Sequence, residues 1–172
     1  MKKTSIKQGL SVAGFIGSVI LANYATSRWG MIPVGFGFTA TAGTYLAGAT
    51  FILRDLVHDQ GGRRAVYAVI LIGAALSLAA GDPRIAAASG VAFLVSELAD
   101  MTVYGPLRRR GYIRAAVASN TVGSVADTAL FLSVAGFPIL VAMPGQIVGK
   151  LTITLLVVGA VAALRHRKGS SA

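Results

Sequence analysis

Cysteine is absent from the chain, which excludes disulfide staples and thiolate metal sites alike. Charge is scarce. Only 13% of the 172 residues are Asp, Glu, Lys or Arg, where a soluble domain carries about 25%. Acid is scarcer still, with 6 Asp and Glu against 16 Lys and Arg. So few charges cannot clothe a water-facing surface. What remains is 55% hydrophobic, with a mean hydropathy of +0.71, the composition of a protein that crosses a membrane several times. The net charge of +10 does not indicate nucleic acid. Its basic residues fall in short clusters between apolar runs, as in the cytoplasmic loops of membrane proteins, and no amphipathic domain is present to offer a basic face.

Six segments approach the 20 or so apolar residues that a bilayer-crossing helix needs: 6–25, 38–57, 65–81, 85–104, 114–135 and 141–164. Glycine, proline and charge separate them, as in "HDQGGRR", "GDPR" and "GPLRRRGYIR". No connection is long enough to fold separately, so residues 1–172 form one all-α membrane domain of six transmembrane helices. "GFGFTA" at 35–40 superficially resembles a dinucleotide-binding loop, but it precedes a membrane helix and is read as a flexible turn between helices.

Charge asymmetry sets the orientation. Lys2, Lys3, Lys7, Arg63, Arg64, Arg108, Arg109, Arg110, Arg114, Arg165, Arg167 and Lys168 fall on one side, and only Arg28 and Arg84 on the other. The positive-inside rule then places both termini in the cytoplasm. Residues 1–25 also read as a cleavable signal peptide, and cleavage would leave five spans in the same orientation.

Once loop charges are set aside, Arg54, Asp55, Glu97, Asp100, Asp127 and Lys150 stand in or near the membrane. Each costs a few kcal/mol there, so such residues face the protein interior and mark a site or pathway. Helical spacing puts Phe93, Glu97, Asp100 and Tyr104 on one face of the fourth span. Asn120, Gly123, Ser124, Asp127 and Phe131 share a face of the fifth, and Thr44, Gly48, Phe51 and Asp55 a face of the second. Counting 1.5 Å per residue from the arginines puts Glu97 and Asp127 roughly 17–20 Å deep and Asp55, Asp100 and Asn120 roughly 9–12 Å deep. Two tiers of acceptors thus converge from three helices as a pocket, beside aromatics that can stack on a flat ligand. The second and fourth spans also match: Asp55 precedes Arg63-Arg64, and Asp100 precedes Arg108-Arg109, at equal spacing. Parallel repeats of this kind occur in transporters.

From about Asn23 to Phe131 the chain resembles the queuosine-precursor transporter (VUT) family. The likeness rests on "NY" at the end of the first span, "FILRDLVHDQGGRRA", "ASGVAFLVSELADMTVYGPLRRR" and "SNTVGSVADTALF". It departs at Glu97, where the family usually has an amide, and at His58, Asp59 and Gln60, where a glutamate and a tyrosine are expected before the glycine. A match at Asn23 implies that the first span is retained. The resemblance implies import of a deazaguanine, a purine-like base that is a precursor of the modified tRNA nucleoside, across the inner membrane. The residues suit such a ligand: a carboxylate can accept both N–H donors of a guanine-like edge. The expected binding residues are therefore Asn23, Asp55, Phe93, Glu97, Asp100, Asn120 and Asp127.

No cofactor, metal or nucleic-acid partner is expected beyond the small-molecule substrate and the lipid, and a homo-oligomer is compatible with the sequence. The main rival is the substrate-binding membrane subunit of an ATPase-coupled vitamin or nucleobase importer, since the chain has no phosphate-binding loop of its own. An enzyme is not expected: His58 and His166 fall at span ends, read as solvated loop residues, and no Ser–His pair shares a depth.

Overall fold

Residues 2–79 and 82–169 are described by the computed structural model. Helix α1 (Lys2–Trp29) leads to a β-hairpin of β1 (Met31–Gly35) and β2 (Phe38–Thr41), followed by α2 (Thr44–Ala79), α3 (Pro83–Arg108), α4 (Tyr112–Ala135) and α5 (Ile139–Gly169). The membrane fold is thus almost wholly helical, with five helices among the described residues rather than six. Ile6–Trp29, Pro83–Arg108, Tyr112–Ala135 and Ile139–Ala160 are long and apolar enough to cross a bilayer.

The second and third expected spans belong to one element, α2, broken at Gly62 (φ 67°, ψ −171°). A residue with a Cβ is strained at that positive φ. The break is a reversal. Leu53 packs on Gly14, and Gly73 approaches the rings of Phe15 and Phe93. In a straight helix Leu53 and Gly73 would be about 30 Å apart, yet they meet α1 at adjacent residues. The arms 44–61 and 63–79 therefore fold back on each other, with Val57, Val66, Val69 and Ile70 in one apolar cluster around Phe15. Residues 80 and 81, at the end of the expected third span, lie outside the described residues.

The "GFGFTA" stretch forms the hairpin, contrary to the expectation of a flexible turn. Met31 pairs with Thr41, Ile32 with Ala40 and Pro33 with Thr39, and the register shifts before Gly35 pairs with Phe38. Phe36 (φ 53°) and Gly37 (φ 77°) make the two-residue turn. Two successive positive φ values match the twist of a tight hairpin. Residues 38–41 are consequently strand, and α2 starts at Thr44. Backbone groups in this connection are satisfied by one another, as a region in or beside lipid requires.

The helix ends have local causes. Gly30 closes α1 with a bond from its N–H to the Thr26 carbonyl (2.9 Å). Asp82 caps α3, accepting from the N–H groups of Arg84 (2.9 Å) and Ile85 (3.3 Å), with Pro83 at the first turn, where its missing N–H costs nothing. Gly136, left-handed at φ 76°, ends α4. Lys7, Arg63, Arg64, Arg108, Arg109, Arg110 and Arg114 gather at one end of the bundle. There Gln60 donates to Ser11 (3.1 Å) and the Arg63 guanidinium lies against Gly105. Arg28, Arg84 and the hairpin occupy the other, where Tyr24, Trp29, Phe36 and Leu140 are exposed, as aromatic belts at membrane interfaces are.

Gly43 sets the approach of α2 to α1. A Cβ there would lie 2.2 Å from the Ala22 carbonyl oxygen and 2.7 Å from Thr26 Oγ1, and a backbone carbonyl in a helix cannot yield. Gly43→Ala is expected to lower thermal stability in detergent by about 1–3 kcal/mol through overpacking. Gly9→Ala, with nothing within 4 Å of its Cβ, should leave the melting curve in place. Equal melting temperatures for the two variants would show that this contact is not needed.

Candidate functional site

Small residues bring the charged helices together. At Gly48 a Cβ would stand 2.9 Å from Lys150 Cα, at Gly149 it would stand 2.7 Å from Thr44 Cγ2, and at Gly123 it would stand 3.0 Å from both Asp100 Oδ2 and Phe51. These close approaches, of the kind small residues allow between membrane helices, seat α2 against α5 and α3 against α4. The charges inside are thereby forced into two groups.

The first is built on Arg54. Its guanidinium forms ion pairs with Asp55 (3.1 Å) and Glu97 (3.0 Å), and a third with Asp100. All four side chains are fully buried. The Tyr104 ring covers the guanidinium at 5.4 Å. Glu97 thus joins the same group as Asp55 and Asp100 through the shared guanidinium. Below the cluster, Arg108 donates two hydrogen bonds to the Asp59 carboxylate (2.8 Å each) and Tyr104 a third (3.0 Å). His58 is no solvated loop residue. It lies within α2 and meets Tyr104 edge-on, 5.1 Å between ring centres.

The second group lies nearer the hairpin. Lys150, buried on α5, pairs with Asp127 and donates to Thr128 Oγ1 (2.9 Å). Ser96 approaches the other Asp127 oxygen at 3.5 Å. Gln146, one turn before Lys150, donates to Thr41 (3.0 Å) and accepts from Thr128 (3.4 Å). Across the space Ser89 donates to Asn23. These groups surround a cavity of about 60 Å³ whose walls include Asn23, Phe51, Phe93, Asp127, Phe131 and Lys150. That volume suits a few waters.

Of the residues expected from the sequence, the structure brings Asn23, Phe93 and Asp127 to the cavity. Asp55, Glu97 and Asp100 lie beside it, bound to Arg54. Asn120 is buried between α4 and α5, donating to Thr154 at 3.3 Å, and does not line the cavity. Sequence reasoning missed Gln146, Thr41 and Ser89, while Thr44, named on the face of the second span, does line the cavity. A signal for one of them existed: Gln146 and Lys150 are four apart, on one face of the last span.

Residues 80–164 match the model of the family described as "Putative vitamin uptake transporter". The match takes in α3, α4 and most of α5, just under half of the chain, and supports a transporter family for this integral membrane protein. It contains Ser89, Phe93, Asp127, Phe131, Gln146 and Lys150 of the cavity wall, together with Glu97 and Asp100. No curated protein and no solved structure matches the chain.

The Arg54 cluster yields a stability prediction. Removing one partner of a buried ion cluster leaves uncompensated charge and costs about 3–5 kcal/mol. Arg54→Met strands three carboxylates, and it is expected to abolish the monodisperse peak in fluorescence-detected size exclusion. Arg110→Met, at an exposed turn, should preserve it. A normal Arg54→Met peak would show that the cluster is not what holds α2 to α3.

Proposed function

We propose that the chain imports a purine-like base of the deazaguanine type into the cytoplasm, binding it in the cavity between the hairpin and the Arg54 cluster. The observation that carries this reading is the Asp127–Lys150 ion pair in a wall that also presents the amides of Asn23 and Gln146 and the rings of Phe93 and Phe131. A guanine-like edge offers adjacent N–H donors, for which one carboxylate supplies two acceptors. Asp127 is the carboxylate placed to take them, with Lys150 turning to a ring carbonyl oxygen. The two carboxamides each carry a donor and an acceptor for the remaining edge. The phenylalanines supply apolar faces for the flat bicycle. Resemblance to the queuosine-precursor transporters supports the same ligand class.

The membrane orientation follows from the charge asymmetry. With the arginine-rich end in the cytoplasm, both arms of α2 cross the bilayer and give six spans in all, with both termini inside. The cavity then lies on the outer side of the ion cluster. The Asp59–Arg108 pair and the Arg54 cluster close the inner side. Widening of the cavity on the outside, followed by opening of these contacts inside, would pass the ligand through without an open pore. The equal spacing of Asp55 and Asp100 from their arginine pairs fits an internal repeat, and the two aspartates meet at one guanidinium.

Uptake of radiolabelled 7-deazaguanine by cells unable to make queuosine precursors tests the proposal. The wild-type chain should restore uptake. Asp127→Asn, which keeps the shape but removes the charge, should reduce it at least about tenfold, as loss of one charged hydrogen-bond partner of 1.5–3 kcal/mol predicts. Both chains are compared at equal membrane abundance. Equal uptake by Asp127→Asn would remove Asp127 from the ligand site. Uptake by the wild-type chain only in cells that also hold a partner ATPase would favour the importer-subunit reading.

A further inference from the structure

The Arg54 cluster has more acid than base. Asp55, Glu97 and Asp100 surround one guanidinium, and all four side chains have no solvent exposure. With every carboxyl ionised, the cluster would hold two uncompensated negative charges in the interior of a membrane protein. Buried charge that is neither paired nor bound to a cation is removed by taking up a proton. A metal ion cannot fill this role, because the guanidinium already occupies the centre where the three carboxylates converge. The lining of the cluster on α4 is also incompletely satisfied. Asn120 Oδ1 and Ser124 Oγ are buried without a hydrogen-bond partner, and they flank Gly123, the residue against which Asp100 and Phe51 pack.

We propose that the Arg54 cluster is a proton-carrying site and that the carrier is a proton symporter, with Glu97 as the carboxyl that gains and loses the proton. The inference rests on the carrier reading above and adds its energy source. The charged groups facing Glu97 are Arg54 and Asp55 from α2, Asp100 on α3 itself, Asp127 from α4 and, paired to Asp127, Lys150 from α5. Among the three carboxylates on Arg54, Glu97 is the one that also faces Asp127, and it lies one turn from Phe93 of the cavity wall on the same face of α3. With the cavity open outward, one proton from the outer medium binds a Glu97 carboxylate oxygen as the ligand binds at Asp127. Inward opening breaks the Asp59–Arg108 pair and regroups Arg54 among the three carboxyls. When Arg54 pairs more closely with Glu97, that proton leaves to the cytoplasm. One proton and one positive charge enter with each neutral base.

The test uses the purified full chain in liposomes, with radiolabelled 7-deazaguanine as probe. Counterflow without a gradient tests the carrier reading alone. An outside-acid gradient of one pH unit, with the membrane potential held at zero by valinomycin and equal potassium on both sides, then tests coupling, and one-to-one symport predicts about tenfold accumulation inside. Glu97→Gln should keep counterflow and lose the accumulation, and Asp55→Asn serves as a second variant should the first fail to reconstitute. Wild-type counterflow with no accumulation overturns the proton proposal and leaves the carrier reading standing. Accumulation that persists in Glu97→Gln overturns the assignment to Glu97. Absence of counterflow in the wild type defeats the carrier reading, and the coupling proposal with it.

Discussion

A guanidinium in lipid has to be surrounded by its own counterions, and Arg54 is surrounded by three. Asp55 comes from its own helix, but Glu97 and Asp100 come from α3, so the ion pairs bind α2 to α3 at a fixed height. Other features follow from that demand. Gly123 has no side chain because Asp100 and Phe51 need the space. The Tyr104 ring covers the guanidinium and turns its hydroxyl to Asp59. Asp59 in turn holds Arg108, which fixes the arginine-rich end of α3 beside the break in α2. An interior that is costly to charge has been organised around the one place where charge is concentrated.

The second ion pair, Asp127 and Lys150, is different in kind. It is balanced, it lies against a cavity, and Asp127 keeps partial exposure, 15% of its side chain against 1% for Lys150. A balanced pair can exchange partners with a ligand at little net cost, whereas the Arg54 cluster cannot be opened without leaving a charge unpaired. The two groups therefore suit different tasks. One is accessible and exchangeable, and the other is closed and changes state only with its proton count. Glycine contacts at positions 48 and 149 tie the exchangeable pair to α2, so a shift at the cavity is felt along the helix that carries Arg54.

Much of this was legible in the residues. Helical spacing put Phe93, Glu97, Asp100 and Tyr104 on one buried face, and the structure buries all four. The same held for Asn120, Gly123, Ser124 and Phe131 on α4. Spacing along one helix cannot say which helix faces which, so the partition of carboxylates between Arg54 and Lys150 was not readable. The hairpin was missed because its turn glycines also suit a loop, and the alternation on either side is too short to announce a strand. The reversal at Gly62 falls inside "HDQGGRR", the break expected between the second and third spans, and it explains how one helical element supplies two antiparallel arms.

The absence of cysteine makes the central claim directly measurable, because a single introduced thiol is unique. Ser89 lines the cavity and bonds Asn23, so Ser89→Cys places that thiol in the wall with a near-isosteric change. The measurement is its rate of labelling by a membrane-impermeant maleimide from the outside of intact cells, with and without 7-deazaguanine. A site that opens outward and holds the base predicts labelling that slows markedly as the base is added, while a thiol introduced at exposed Phe36 is labelled at the same rate throughout. Labelling at Ser89→Cys that is unaffected by saturating base, or that occurs only from the cytoplasmic side, would contradict the account.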